Sequence, residues 1–166
     1  MWDVRIPSLE ATHSLLLILM AEAFAYHERD IRAHPELYGD VVRERILAGA
    51  LVTASEYMQA QRIRAQICRE TEAVLHGVDL LVTPTTGKPA TPFAQAHDPA
   101  FGFPKSNMPP FNLTGSPTLA LPCGFASSGL PLSFQLAGRA FEEGTVLRVG
   151  HAYERATSWH TRRPPV

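Results

Sequence analysis

Apolar positions in the first half of the chain recur at helical spacing. Ser8 is placed to cap a helix over residues 9–33, with Glu10 in the first turn, where the helix dipole favours an acid. Leu16, Met20, Ala23, Phe24 and His27 fall on one face, and Glu22, Arg29 and Arg32 fall elsewhere. His34-Pro35 ends this pattern, because proline disfavours the helical region in the residue before it. Asp40 is placed to cap a second helix over 41–47, which Gly49 ends. A third begins at Thr53, where Glu56 three residues on completes a capping box. Its apolar face reads Ala60, Ile63, Ile67, Val74, Leu75, Val78, and Gly77 is a natural C-terminal cap.

Beyond Gly77 the period changes. Residues 79–83 form a short, nearly all-apolar run that suits a strand covered on both faces, and Pro84 breaks it. Residues 119–121 predict a second strand, bracketed by Pro117 and Pro122. A third covers 132–136, entered through the turn Ser127-Ser128-Gly129-Leu130-Pro131. A last helix covers 142–156, with Val146, Val149 and Tyr153 on one face. The expected class is α/β, with helices packed on a short mixed sheet. Gly115, Gly124 and Gly129 are expected to supply backbone angles or close approaches closed to other residues.

The stretch between the first two strands, residues 84–116, shows neither period and holds seven prolines. A loop this long in a compact domain is usually disordered or functional. Its aromatics, Phe93, Phe101, Phe103 and Phe111, need apolar partners, which favours a pocket wall or lid.

Composition narrows the functional classes. The 166 residues suit one domain, which at about 150 residues buries roughly 70% of its unfolded surface. The net charge is −1, with 13 Arg against only Lys88 and Lys105, and no basic stripe predicts a nucleic-acid partner. Cys68 and Cys123 make neither a disulfide framework nor a zinc set, so a reduced, cytoplasmic setting is expected. The seven histidines show no metal spacing, and no cofactor is expected. The apolar run Leu15 to Met20 before Ala21-Glu22-Ala23 has the outline of a cleavage site. Asp3 and Glu10 beside a single Arg5 argue instead for a buried helix, and the run is too short to span a bilayer.

The order of motifs in the second half carries a resemblance. Val78 to Thr85 is followed by the proline-rich stretch, then Asn112-Leu113-Thr114-Gly115-Ser116-Pro117 and Leu121-Pro122-Cys123-Gly124-Phe125. Gly129-Leu130-Pro131 leads into Phe134-Gln135-Leu136-Ala137-Gly138-Arg139, then Phe141-Glu142-Glu143, Tyr153-Glu154 and Trp159-His160. Each motif alone is weak; in this order the chain resembles the C-terminal region of amidase signature enzymes over nearly all its length. The resemblance implies the amidase signature fold and amide hydrolysis by a serine nucleophile. That serine works with a second serine in a cis peptide and with a neutral lysine.

No Gly-Gly-Ser-Ser-Gly-Gly core occurs in this sequence. Ser127-Ser128-Gly129 mimics it, but sits in the turn before Gly129-Leu130-Pro131, and Lys88 and Lys105 lie in the proline-rich stretch. No residue is therefore assigned as catalytic. The expected substrate-pocket residues are Pro84, Thr85, Thr86, Phe111, Asn112, Thr114 and Gly115. Read from the residues alone, Asn112 and Thr114 either bind neighbouring backbone or line the pocket, and Phe111 either shapes an acyl site or fills loop core. Gln135 is expected to satisfy a neighbouring backbone group and Asp79 to be structural.

The chain is thus expected to be the substrate-pocket and scaffold portion of an amidase, inactive by itself. Its expected partners are a small amide, a separate catalytic half and further copies of itself through uncovered strand borders, with no nucleic acid or membrane. The alternative is a non-catalytic binding or interaction module derived from an amidase.

Overall fold

The computed structural model describes residues 2–11, 14–93 and 107–163. The chain divides into two compact units, Met1–Thr71 and Glu72–Val166.

The first unit is helical. A 3-10 turn at Pro7–Ala11 precedes α1, Ser14–Ala33, so Ser8 lies inside a turn rather than capping α1. The Ser8 backbone N–H donates to Glu70 Oε2 at 3.1 Å. The residues that α1 buries are Ser14, Ile18 and Ile31, while Leu16 is exposed, so the buried stripe is rotated from the expected face. Met20 to Ala23 continue the helix without a break.

α2 spans Asp40–Ala48 and starts one residue earlier than expected. Gly39 is the N-cap, and Asp40 in the first turn pairs with Arg43 at 2.7 Å. Gly49 then approaches the backbone carbonyl of Met20 so closely that a Cβ there would collide with it.

α3, Ala54–His76, opens with the expected capping box. The Thr53 N–H donates to Glu56 Oε2 at 2.8 Å, and the Glu56 N–H donates back to Thr53 Oγ1 at 3.2 Å. Ala60, Ile67 and Leu75 are buried as the period predicts, and Thr71 joins them on the same stripe. Gly77 closes the end with a bond to the Val74 carbonyl.

The second unit is built on a sheet of β1, Leu81–Pro84, β2, Thr118–Phe125, and β3, Pro131–Ala137. The order is β1-β3-β2, antiparallel at both pairings among the described residues rather than mixed. Between β1 and β2 lies α4, Pro109–Thr114, where no helix is expected from the sequence. Prolines signal a break within a helix, but in the first turn they remove only N–H groups that have no intrahelical acceptor. β2 likewise runs through Pro122 rather than ending there, with a register shift between Pro122 and Gly124. An edge strand with a bulge tolerates the missing donor.

α5, Glu143–Ala156, packs on the sheet. Leu121, Leu136 and Val146 form the core, with Leu80, Leu119, Phe134 and Tyr153 packed around it. Each large side chain so buried contributes about 1.5–3 kcal/mol. Val149 is exposed, and Gly150 takes its place against the sheet. A Cβ at Gly150 would fall inside contact distance of Leu119 Cδ2. β1 sits at a border of the sheet among the described residues, and Val82 is 51% exposed, so this strand is not covered on both faces. Asp79 ahead of it is exposed.

Candidate functional site

The expected pocket residues arrive from two places. Pro84 ends β1, and Thr85 and Thr86 follow it. Phe111, Asn112 and Thr114 ride on α4, and Gly115 ends that helix at φ 73°, in the left-handed region that glycine enters without penalty. Phe101 and Phe103, expected to help form a pocket wall, lie outside the described residues.

Asn107 joins the two groups. Its backbone N–H donates to the Thr85 carbonyl at 3.1 Å, and its Nδ2 donates to the Pro84 carbonyl at 2.7 Å. Behind Asn107 stands Gln135, 3% exposed and directly across the sheet from Thr83. Gln135 Nε2 donates to the Asn107 carbonyl at 2.7 Å and to Thr83 Oγ1 at 3.0 Å. The Thr85 N–H in turn donates to the Ser133 carbonyl at 3.1 Å. The expectation that Gln135 serves a backbone group is met, but its partner lies 28 residues away. Asn107 carries no local pattern that marks it; a lone asparagine ahead of two prolines is the only sequence hint.

Around α4 the hydroxyls are locally engaged. Thr114 Oγ1 lies 3.3 Å from the Phe111 carbonyl and 2.8 Å from Ser116 Oγ. Thr86 Oγ1 donates to the Lys88 carbonyl at 2.9 Å. Asn112 and Gly115 are exposed, Thr86 and Thr114 are half-buried, and Phe111 is buried as loop core. None of the seven residues carries an ionisable side chain, so the group offers neutral hydrogen-bonding partners beside apolar surface.

Ser127 and Ser128 are exposed in the turn joining β2 to β3, which Gly129 closes at φ 82°. Among the described residues, no group of three His, Cys, Asp or Glu is arranged to hold a metal. No described helix is long and apolar enough to cross a membrane.

Comparison with known proteins gives one answer. A family model described as Amidase matches residues 1–147. The chain is 39% identical over 174 aligned residues to an amidase of Pseudomonas putida, covering 98% of this chain and 36% of the relative. It is 44% identical over 134 residues to a glutamyl-tRNA(Gln) amidotransferase subunit of Chloroflexus aggregans, covering 76% of this chain and 27% of that protein. A crystal structure of an amidase superposes with a TM-score of 0.77 at 33% identity, covering 90% of this chain and 36% of that one. The chain therefore spans about a third of the length of the curated relatives it matches.

Proposed function

The chain belongs to the amidase family, and from that premise we propose that it forms the substrate-pocket and scaffold portion of an amide hydrolase. In this reading the reactive serine, its cis-peptide serine partner and the lysine are contributed from outside these 166 residues. The observation that carries it is the meeting of Pro84 and Thr85 with the lead-in to α4 through Asn107. Two neutral, hydroxyl- and amide-bearing segments of a family of amide hydrolases are held side by side. Neutral donors and acceptors suit an uncharged carboxamide, which has one N–H-bearing and one carbonyl edge to satisfy. We place the protein in the cytoplasm, where cysteines stay reduced, since neither Cys68 nor Cys123 is part of a disulfide.

The experiment has two readouts on the purified chain. Benzamide serves as a small amide probe, followed by backbone amide shifts in NMR and by ammonia release. The expected result is a saturable shift at Thr85, Thr86, Asn112 and Gly115 with no ammonia released. Ammonia release by the pure chain would overturn the division of labour. Absence of benzamide shifts at those residues would overturn the pocket and favour a non-catalytic module.

A further inference from the structure

We infer that Gln135 is a positioning residue for this site, acting through Asn107 to fix where Pro84 and Thr85 stand. The inference rests on the pocket reading above and adds to it a residue that touches none of the seven proposed pocket side chains in the hydrogen bonds described.

The geometry is a relay. The carbonyl of Asn107 can only accept, so the amide group of Gln135 facing it is fixed as the N–H-bearing nitrogen. That nitrogen has two protons, and both are spent, one on Asn107 O and one on Thr83 Oγ1. The same logic fixes Asn107, whose Nδ2 faces the Pro84 carbonyl. With its backbone N–H on Thr85, Asn107 grips two successive residues of the candidate wall while its own carbonyl is held from β3. Gln135 is nearly sealed from water, so no solvent molecule readily replaces its amide if it is removed. β3 is the central strand of the described sheet, which gives the relay its most firmly held base. A residue on the wall can be exchanged and leave its neighbours in place; exchanging Gln135 releases the segment that places them.

The test uses the full 166-residue chain as wild type, Gln135→Leu, Gln135→Glu and Asn107→Ala. Leucine removes both donors, and glutamate turns an oxygen toward the Asn107 carbonyl. Asn107→Ala keeps Gln135 and deletes only the bond to Pro84, which keeps the question open to measurement should a Gln135 variant fail to fold. Hydrogen exchange is read at Asn107 and Thr85, and benzamide affinity is read from shifts at Thr85 and Thr86. In both Gln135 variants the Asn107 amide is expected to exchange about tenfold faster and benzamide to bind about tenfold more weakly, the effect of one hydrogen bond. The amides of Leu121 and Val146 stay unchanged in the same samples. Asn107→Ala should weaken benzamide similarly. Wild-type affinity in Gln135→Leu, or in Asn107→Ala if that is the variant that folds, overturns the positioning role alone. A wild-type chain that protects Asn107 but gives no benzamide shift at Thr85 or Thr86 overturns the pocket reading, and the positioning role with it.

Discussion

Arg139 Nη1 donates to the carbonyl of Leu75 at 2.7 Å and to that of Val78 at 3.2 Å. The last carbonyls of a helix have no intrahelical donor, and here a guanidinium just past β3 supplies one for α3. Glu142 holds the other edge of the same fork, accepting from Nε at 3.2 Å and from Nη2 at 3.4 Å.

Arg139→Ala should therefore cost about 1.5–3 kcal/mol, the range for hydrogen bonds made by charged groups. Arg139→Lys should recover less than half of it, because an ammonium cannot serve two carbonyls and a carboxylate from one plane. Urea unfolding with an unchanged slope is the measurement. A lysine variant as stable as wild type would show that charge alone matters.

Two glycines of α5 should respond in opposite senses. A Cβ at Gly144 would have nothing within 4 Å, so Gly144→Ala should stabilise by up to about 1 kcal/mol through helix propensity. Gly150 lies against Leu119, and Gly150→Val should destabilise by about 1–3 kcal/mol through overpacking. Thermal unfolding of the pair gives the comparison directly. Equal and same-signed shifts would mean that α5 does not seat on β2 through Gly150.

What the sequence reveals depends on how local the deciding interaction is. The capping box of Thr53 and Glu56 spans three residues and is legible without any fold. The turn at Gly129 is likewise local. α4 is not legible, because the prolines that mark it are ambiguous between breaking a helix and starting one. The reading of 79–83 as covered on both faces fails for another reason: strand order is a global property, and the order puts Val82 at a border. The candidate site divides the same way. Motif order proposes its seven residues, but the Gln135–Asn107 bond behind the contact between their two groups crosses 28 positions and leaves no periodic trace.

Stability should fall in acid, partly through two carboxylates. The Thr53 backbone N–H, then its hydroxyl, hold the Glu56 carboxyl below its ordinary range. The Gln66 amide, then Ser8, do the same for Glu70. A folded pKa below the unfolded one means a contribution fully present above the unfolded value, about 4.3, and lost as pH falls through the folded value. The urea midpoint of the wild type should therefore drop between pH 5 and pH 3, roughly the window of those carboxylates. It should drop less in Glu56→Gln, which has no charge to lose there. Thr53→Ala should cost about 1 kcal/mol at neutral pH through the lost cap. Parallel pH profiles for wild type and Glu56→Gln would remove Glu56 from the account.

The border at β1 leads to the last prediction. Val82 is half-exposed on a four-residue strand whose outer side pairs with no strand among the described residues. Asn107 holds the Pro84 carbonyl, but the backbone of Val82 borders that outer side beside its apolar side chain, a pattern that invites another copy to add a strand. We expect the isolated chain to associate in sedimentation experiments, increasingly with concentration. Val82→Lys should weaken that association by at least about tenfold, because a charge on an edge strand must be desolvated when a neighbour docks. Leu136→Ala supplies the contrast: its side chain is buried, so it should lower stability by about 2–5 kcal/mol. Its effect on association should follow only from the unfolded fraction. If Val82→Lys associates like the wild type, the contact between copies lies elsewhere, and the β1 border is not the surface that drives it.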